Sequence, residues 1–374
     1  MKRIIVTMLI VLSLIMPTGC YAATAKHSTK PNDDFFSMQK KQFDLVSVRE
    51  VWSKKMYGKY KKRQPVVAII DTGVTKHPDI KNILKGKGIS GSKISTRYSD
   101  IDYQGTSIAG IIAATNNNKI GISGLMPDTV IYPLKIFKVG DYGELTASQS
   151  SLATAINNAV AKKVDVINLS VQTPLRSSKV EKAIKLANDN NIIVVASCGD
   201  TGDDTVMYPA AYDGVVSVSA ITDKLAKQEY SSYNSEVDVT APGQNIPCTV
   251  PTGSVGEQLI GVGYSLNCGT AYSAAYVSAL AAMYKAIKPG GGHDDFMGML
   301  EETCFDLGKI GKDSRFGWGL IDFANAYSYL VGPKNCNHKY GKWKTLVKKS
   351  ARGNGLESHT CKKCLFTQKM YVLN

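Results

Sequence analysis

Apolar positions along this chain fall into two patterns, one continuous and one helical. Pro65-Val66-Val67-Ala68-Ile69-Ile70 holds no polar residue before Asp71, as expected of a strand buried on both faces of a parallel sheet. Val130 to Lys138 and Val164 to Ser170 read as two more strands, and Ile192 to Asp200 as another followed by a turn. Between them, Ser148 to Ala161 reads as a helix. Gln42 to Tyr57 presents Phe43, Leu45, Val48 and Val51 as one apolar face, a short amphipathic helix ahead of a lysine-rich link. Cys268-Gly269-Thr270 feeds a run of small and apolar residues through Met283 that predicts a buried helix. Residues 24–35 are polar and read as an extended arm, and Ala324 to Leu330 as a last helix. Strands alternating with helices predict an α/β domain with a mostly parallel central sheet.

Lys2 and Arg3 ahead of the apolar stretch Ile4–Met16, with small residues at 19–23, make residues 1–22 a secretory leader. Cleavage after Ala22 or Ala23 is one outcome. A lipid anchor on Cys20 is the other, giving a secreted or an extracellular surface-attached protein. No later stretch is apolar enough to span a membrane. The 374 residues, 44% hydrophobic and 20% charged, suit one large domain plus extras. The net charge of +14 changes the picture more. Residues 24–65 hold about 11 basic and 4 acidic side chains, and residues 333–374 about 10 and 1, while 66–332 is mildly acidic. Basic ends on an exported chain point to an anionic wall polymer, a membrane surface or an acidic partner, or simply to solubilising lysines. Nucleic acid is not an expected partner. Export also permits disulfides, a Cys248–Cys268 bridge among them, although spacing cannot fix pairing.

Candidate chemistry lies in three blocks in chain order: Asp71-Thr72-Gly73, Gln104-Gly105-Thr106-Ser107-Ile108-Ala109-Gly110, and Gly269-Thr270-Ala271-Tyr272-Ser273-Ala274. With His77-Pro78-Asp79, Asp165–Ser170, Ser197–Asp200, Tyr208-Pro209-Ala210, Asp238–Gly243 and Phe316–Asp322, they cover roughly residues 32–330. Over that span the chain resembles the subtilisin-like serine proteases, the subtilases, whose triad runs Asp, His, Ser along the chain. The resemblance implies a three-layer subtilisin-like α/β fold for residues 66–332, with 24–65 as its N-terminal arm and helix. It places Asp71 as the triad acid. Gln104 stands at the histidine position, Ala271 at the serine position and Asp200 at that of the oxyanion-binding asparagine.

An amide does not accept a proton near neutral pH, and a carboxylate neither donates to an oxyanion nor tolerates its charge. Gln104 is expected to donate its NH2 to Asp71 and keep that acid paired. Ser273, about 200° further round its helix, points away from the nucleophile position. The resemblance makes Ser170, Val171, Gln172 and Gly199 lining residues of a peptide groove, with Gln172 adding bulk to one wall. His77 is expected to be structural. Asn116 to Pro127 resembles the family's calcium loop. It implies side-chain oxygens from Asp79, Asn118 and Gln42 and carbonyls of Asn116, Ile120 and Ile122 around a calcium ion; a metal-free Asn-rich turn is the other reading. The forty or so residues between leader and first core strand leave no room for the family's folded pro-domain.

In subtilisin, losing the serine or the histidine costs about 10⁶ in turnover, and losing the oxyanion asparagine about 10²–10³. The expected function is therefore an exported pseudoprotease that binds an extended peptide or protein segment in the former substrate groove. Two alternatives stay open: an active serine endopeptidase with non-standard residues, and a surface-associated scaffold acting through its basic tail. That tail, 333–374, is expected to be a separate Cys/His module with a core of Tyr340, Trp343 and Leu346. Cys336, His338, Cys361 and Cys364 in it have the spacing of a tetrahedral zinc site, with His359 as substitute ligand; a disulfide plus a free thiol is the rival.

Overall fold

The computed structural model describes residues 28–52, 63–254, 256–350 and 354–373. The leader, Cys20 and the lysine-rich link at 54–62 lie outside the described residues. The central sheet is built from β1 (Val66–Asp71), β2 (Lys87–Ser90), β3 (Lys93–Ser95) and β4 (Val130–Lys135), then, past a short hairpin of β5 (Lys138–Val139) and β6 (Leu145–Thr146), β7 (Val166–Leu169), β8 (Ile193–Ser197), β9 (Val215–Ile221) and β10 (Val239–Pro242). Its order is β10-β9-β8-β7-β1-β4-β2-β3, parallel except at the β2–β3 edge. β1 lies between β7 and β4, with Val67 level with both Val166 and Ile131.

Alternation along these strands feeds two cores. Val67, Ile69, Val166, Ile193 and Val195 face one side, where they meet α1 (Phe36–Leu45), α2 (Val48–Trp52), α3 (Gln104–Ala113), α6 (Thr270–Ile287), α7 (His293–Thr303) and α8 (Phe323–Val331). Ala68, Ile70, Ile167, Leu169, Val194 and Ala196 face the other, against α4 (Gln149–Lys162) and α5 (Ser178–Asp189). The result is the expected three-layer sandwich. Every residue of α6 is buried, which is why its sequence is nearly all small or apolar. A hairpin sheet, β11 (Ile246–Thr249), β12 (Gln258–Gly261) and β13 (Tyr264–Asn267), leads into it.

Several boundaries differ from expectation. The helix foreseen over Gln42–Tyr57 begins at Phe36 and breaks after Leu45, because Ser47 takes a left-handed conformation (φ 56°) and donates its hydroxyl to Asp322 at 2.9 Å. The strand expected through Lys138 stops at Lys135, and Lys138–Val139 belongs to a separate two-stranded hairpin with Leu145–Thr146. Helix α5 was hidden by its charged outer face, which outnumbers the stripe Val180, Ala183, Ile184 and Ala187. No Cys248–Cys268 bridge forms: β11 pairs Cys248 with Ser265, the Cys248 thiol turns to the Ile246 carbonyl, and both cysteines are free.

The tail packs onto the domain. β14 (Lys344–Val347), β15 (Gly355–Thr360) and β16 (Thr367–Val372) form an antiparallel sheet whose Leu346, Val347 and Leu356 join the core around α6 and α8. Trp343, assigned to a tail core, is 44% exposed. Lys369 pairs with Asp322, and both side chains are buried. Thr367 N–H donates to Asn325 at 2.7 Å, and Lys344 reaches Asp44 at 2.7 Å.

Candidate functional site

The carboxyl end of β1 and the first turns of α3 and α6 converge on one side of the sheet, where open α/β folds place their chemistry. Asp71, last residue of β1, is completely buried. Its carboxylate accepts from Thr72 N–H at 2.6 Å and from Gln104 Nε2 at 3.3 and 3.2 Å. Burial pushes its pKa up to about 7, with the Asp100 charge adding to the rise, while bonds from Thr72, Gln104 and Ser170 oppose it. The strand end fits the helix start only because position 105 is glycine: a Cβ there would lie 1.9 Å from the Gly73 carbonyl oxygen.

Ala271 is the second residue of α6 and is buried, presenting a methyl group. The amides leading into this helix are all taken. Cys268 N–H donates to the Glu257 carboxylate at 2.9 Å, Gly269 N–H to the Tyr230 hydroxyl at 3.0 Å, and Thr270 N–H to the Asp200 carboxylate at 2.8 Å. A helix N-terminus attracts anions, and here two of the chain's own carboxylates supply them. Burial and the Asp200 charge raise the Glu257 pKa. Gln172 extends the closure. Its Nε2 donates to Asp200 at 2.7 Å and lies 3.4 Å from both Ser197 and Thr270 hydroxyls, and its Oε1 accepts from Asp200 N–H at 3.0 Å. The side chain thus bridges the two walls and does more than narrow one.

The other lining residues are placed as follows. Ser170 is buried and donates to Asn168 at 3.2 Å, so its hydroxyl faces inward. Gly199 has φ 120°, and a Cβ there would meet the Ser232 hydroxyl at 2.6 Å. Among the described residues, the backbones of Val171 and Gln172 have no backbone partner, whereas Thr173 beyond them is bonded to Tyr208 at 3.0 and 2.8 Å. Ser273 is fully buried and donates to the carbonyls of Ala241 and Pro242, both at 3.1 Å, away from position 271.

The loop after α3 brings Asp79, Asn116, Asn118, Ile120 and Ile122 together with the N-terminal arm. Asp79 accepts from Asn118 Nδ2 at 2.7 Å and Ile122 N–H at 3.0 Å. Burial, with Asp33 repulsion behind it, pushes its pKa up to about 6. Gln42 does not take part: within α1, its amide nitrogen serves the carbonyls of Met38 and Gln39 at 3.0 and 3.2 Å. Asp33 does, holding Asn117 and Asn118 N–H at 3.0 and 2.8 Å, and Ser123. The buried Asn116 side chain has neither of its polar atoms partnered. Crowded carboxylates, amide oxygens and carbonyls are the donor set of a hard cation, so these residues fit calcium. His77 is structural, with Nε2 against the Gly263 carbonyl at 3.1 Å and Nδ1 accepting from Asp79 N–H at 3.2 Å.

Sequence reading missed Asp33, Asp100, Tyr230 and Glu257. Asp33 lay in the polar stretch 24–35 read as an extended arm, and pairing its two acids, Asp33 and Asp34, with the Asn-rich loop was the available signal. The other three are single polar residues in loops and carry none. In the tail, Cys336, His338, Cys361 and Cys364 come together with their ligand atoms all within 4.8 Å of one another. His359 is not among them; its ring stacks between Tyr340 and Trp343, at 4.2 and 3.7 Å.

An acid ending the central parallel strand, beside two helix starts on one face, defines the scaffold of a subtilisin-type serine hydrolase. The chain belongs to the subtilase family, whose model (Subtilase family, peptidase S8) matches residues 62–319. It is 34% identical over 305 residues to the major intracellular serine protease of Bacillus subtilis strain 168, covering 79% of this chain and 89% of that one. The minor extracellular protease Epr of the same organism is 30% identical over 296 residues, and there the match spans 79% of this chain but 42% of Epr. The thermostable alkaline protease of Halalkalibacterium halodurans is 32% identical over 260 residues, spanning 70% of this chain and 66% of the relative. A solved protease from Pseudoalteromonas arctica PAMC 21717 superposes with a TM-score of 0.70 at 24% identity, covering 80% of this chain and 99% of that one, and supports the fold. Among the described residues, no helix is long and apolar enough to cross a membrane.

Proposed function

We propose that this subtilase is an exported pseudoprotease that holds an extended peptide or protein segment without hydrolysing it. The observation that carries the proposal is the start of α6: a methyl group at Ala271, with the neighbouring Thr270 amide held by Asp200. Acyl transfer needs a nucleophile, a base and free donors for the oxyanion. The first two are replaced by Ala271 and Gln104, and a carboxylate sits where the third would form. The unpartnered backbone at Val171–Gln172 favours recognition by strand addition, in which the peptide's main chain supplies most of the hydrogen bonds. Because Gln172 bridges to Asp200, the ligand lies along that edge and inserts no side chain between the two.

Calcium at the loop joining Asp33, Asp79, Asn118 and the carbonyls of Asn116, Ile120 and Ile122 belongs to this reading as a structural ion. So does export, with retention through a lipid on Cys20 or through basic residues on an anionic surface. The test is hydrolysis of a peptide library by the purified chain, run beside capture of uncleaved library peptides. Capture without turnover, lost on Val171→Pro, is expected. Turnover by the native chain, abolished by a serine-directed reagent, would overturn the proposal.

A further inference from the structure

The hairpin joining β15 to β16 turns at Cys361-Lys362-Lys363-Cys364, so this Cys-x-x-Cys is the turn itself. The turn closes on Cys361: Lys363 N–H points at its Sγ at 3.4 Å, and Leu365 N–H donates to its carbonyl at 3.0 Å. A bridge between Tyr340 and Cys361, with Lys362 N–H on the Lys339 carbonyl at 2.8 Å, lays the Cys336–His338 segment alongside. Cys336 Sγ is then 4.0 Å from Cys361 Sγ, and His338 Nδ1 is 3.4 Å from Cys364 Sγ. With zinc–sulfur bonds of about 2.3 Å and zinc–nitrogen bonds of about 2.0 Å, the sulfur–sulfur and sulfur–nitrogen edges of a tetrahedral site measure about 3.8 Å and about 3.5 Å. The His338 ring is held by Tyr340 and Phe366, at 5.3 and 5.4 Å.

We propose that Cys336, His338, Cys361 and Cys364 bind one zinc ion, and that this ion is a structural element of the whole subtilase domain. The second half follows from what β16 carries. Lys369 on that strand pairs with Asp322, a carboxylate with no solvent exposure that also accepts from Ser47 and caps α8 through Asn325 N–H. Thr367, at the start of the same strand, donates to Asn325. Zinc fixes the turn, the turn fixes β16, and β16 delivers the cation that a buried carboxylate requires. Binding to the folded state alone then couples metal occupancy to melting of the entire domain.

The test uses the full chain purified under reducing conditions. One zinc per chain is expected by elemental analysis, and stripped protein given cobalt should show thiolate charge-transfer absorption with the d–d bands of a tetrahedral site. Cys361→Ser and Cys364→Ser should each lose that spectrum, and Cys268→Ser should keep it. Stripping zinc should lower the single melting transition of the domain by about 5 °C or more, and Lys369→Met should keep full zinc content while losing most of that dependence. Should the ligand variants not fold, zinc uptake by the stripped native chain still decides. Metal content under about 0.1 per chain with no uptake, or recovery of a Cys336–Cys361 disulfide from native protein isolated in parallel without reductant, overturns the zinc site. Full zinc with a melting temperature indifferent to its removal overturns the structural coupling.

Discussion

In an active triad the buried acid has an imidazolium to face; here Asp71 faces an amide, and the charge is uncompensated. The perturbation that isolates this is Asp71→Asn. Burial holds the Asp71 carboxyl at about 7 against an ordinary aspartate value of 3.8. At ~1.4 kcal/mol per pH unit, that rise corresponds to about 4 kcal/mol. The sign follows from linkage: a raised carboxyl favours the folded state fully below pH 3.8, and that contribution is lost as pH rises through 7. The neutral amide carries no such loss. It still accepts the Thr72 N–H through Oδ1, and Gln104 can turn its own amide to accept from Nδ2. Allowing about 1 kcal/mol for weaker, uncharged hydrogen bonds, Asp71→Asn should stabilise the chain by roughly 2–3 kcal/mol near pH 8. Near pH 4 the gain should vanish. Urea-unfolding midpoints of both proteins at about pH 4, 6 and 8 measure this directly. A difference that is flat with pH, or a variant less stable at pH 8, would show that the carboxylate is well accommodated as an anion and refute the reasoning.

Restoring Gln104→His, Ala271→Ser and Asp200→Asn together should leave peptide hydrolysis weak, because Gln172 still crosses the site. Adding Gln172→Gly should raise it by ~10-fold or more, read with a library of chromogenic peptides. Calcium at about 1 mM should raise the melting temperature relative to chelator-treated protein, and Asp79→Asn or Asp33→Asn should abolish the difference. Gly105→Ala forces a Cβ to within 1.9 Å of a main-chain oxygen. It should cost ~3 kcal/mol or more, visible as a lower urea midpoint. Deleting residues 333–374, a natural way to test the tail for surface attachment, should instead destabilise the domain, since it strips Lys369 from buried Asp322 and breaks a pair of a kind whose loss costs ~3–5 kcal/mol. A truncated chain that melted like the whole protein would contradict the docked arrangement of the tail.

The central strands were legible because strands covered on both faces have no polar alternation to disguise them; Val66–Ile70 and Ile193–Ala196 are unbroken apolar runs. Helix α6 was legible for the same reason. β12 was not, being mostly exposed and formed only by pairing with β13. The two helix starts were legible because Gly-Thr turns stand at residues 105–106 and 269–270. Their environment was not, since Asp100, Glu257 and Tyr230 reach the site from loops whose approach only the tertiary fold decides. Loss of a catalytic side chain without compensation leaves buried polar groups orphaned, each at a cost of about 1–3 kcal/mol. Around this site the side chains instead meet their neighbours' requirements: Gln104 donates to Asp71, Asp200 accepts from Thr270, and Gln172 both donates to and accepts from Asp200. Gln172 lies on a different strand end from Asp200, so its two-way pairing with that residue shows side chains of separate loops fitted to one closed site.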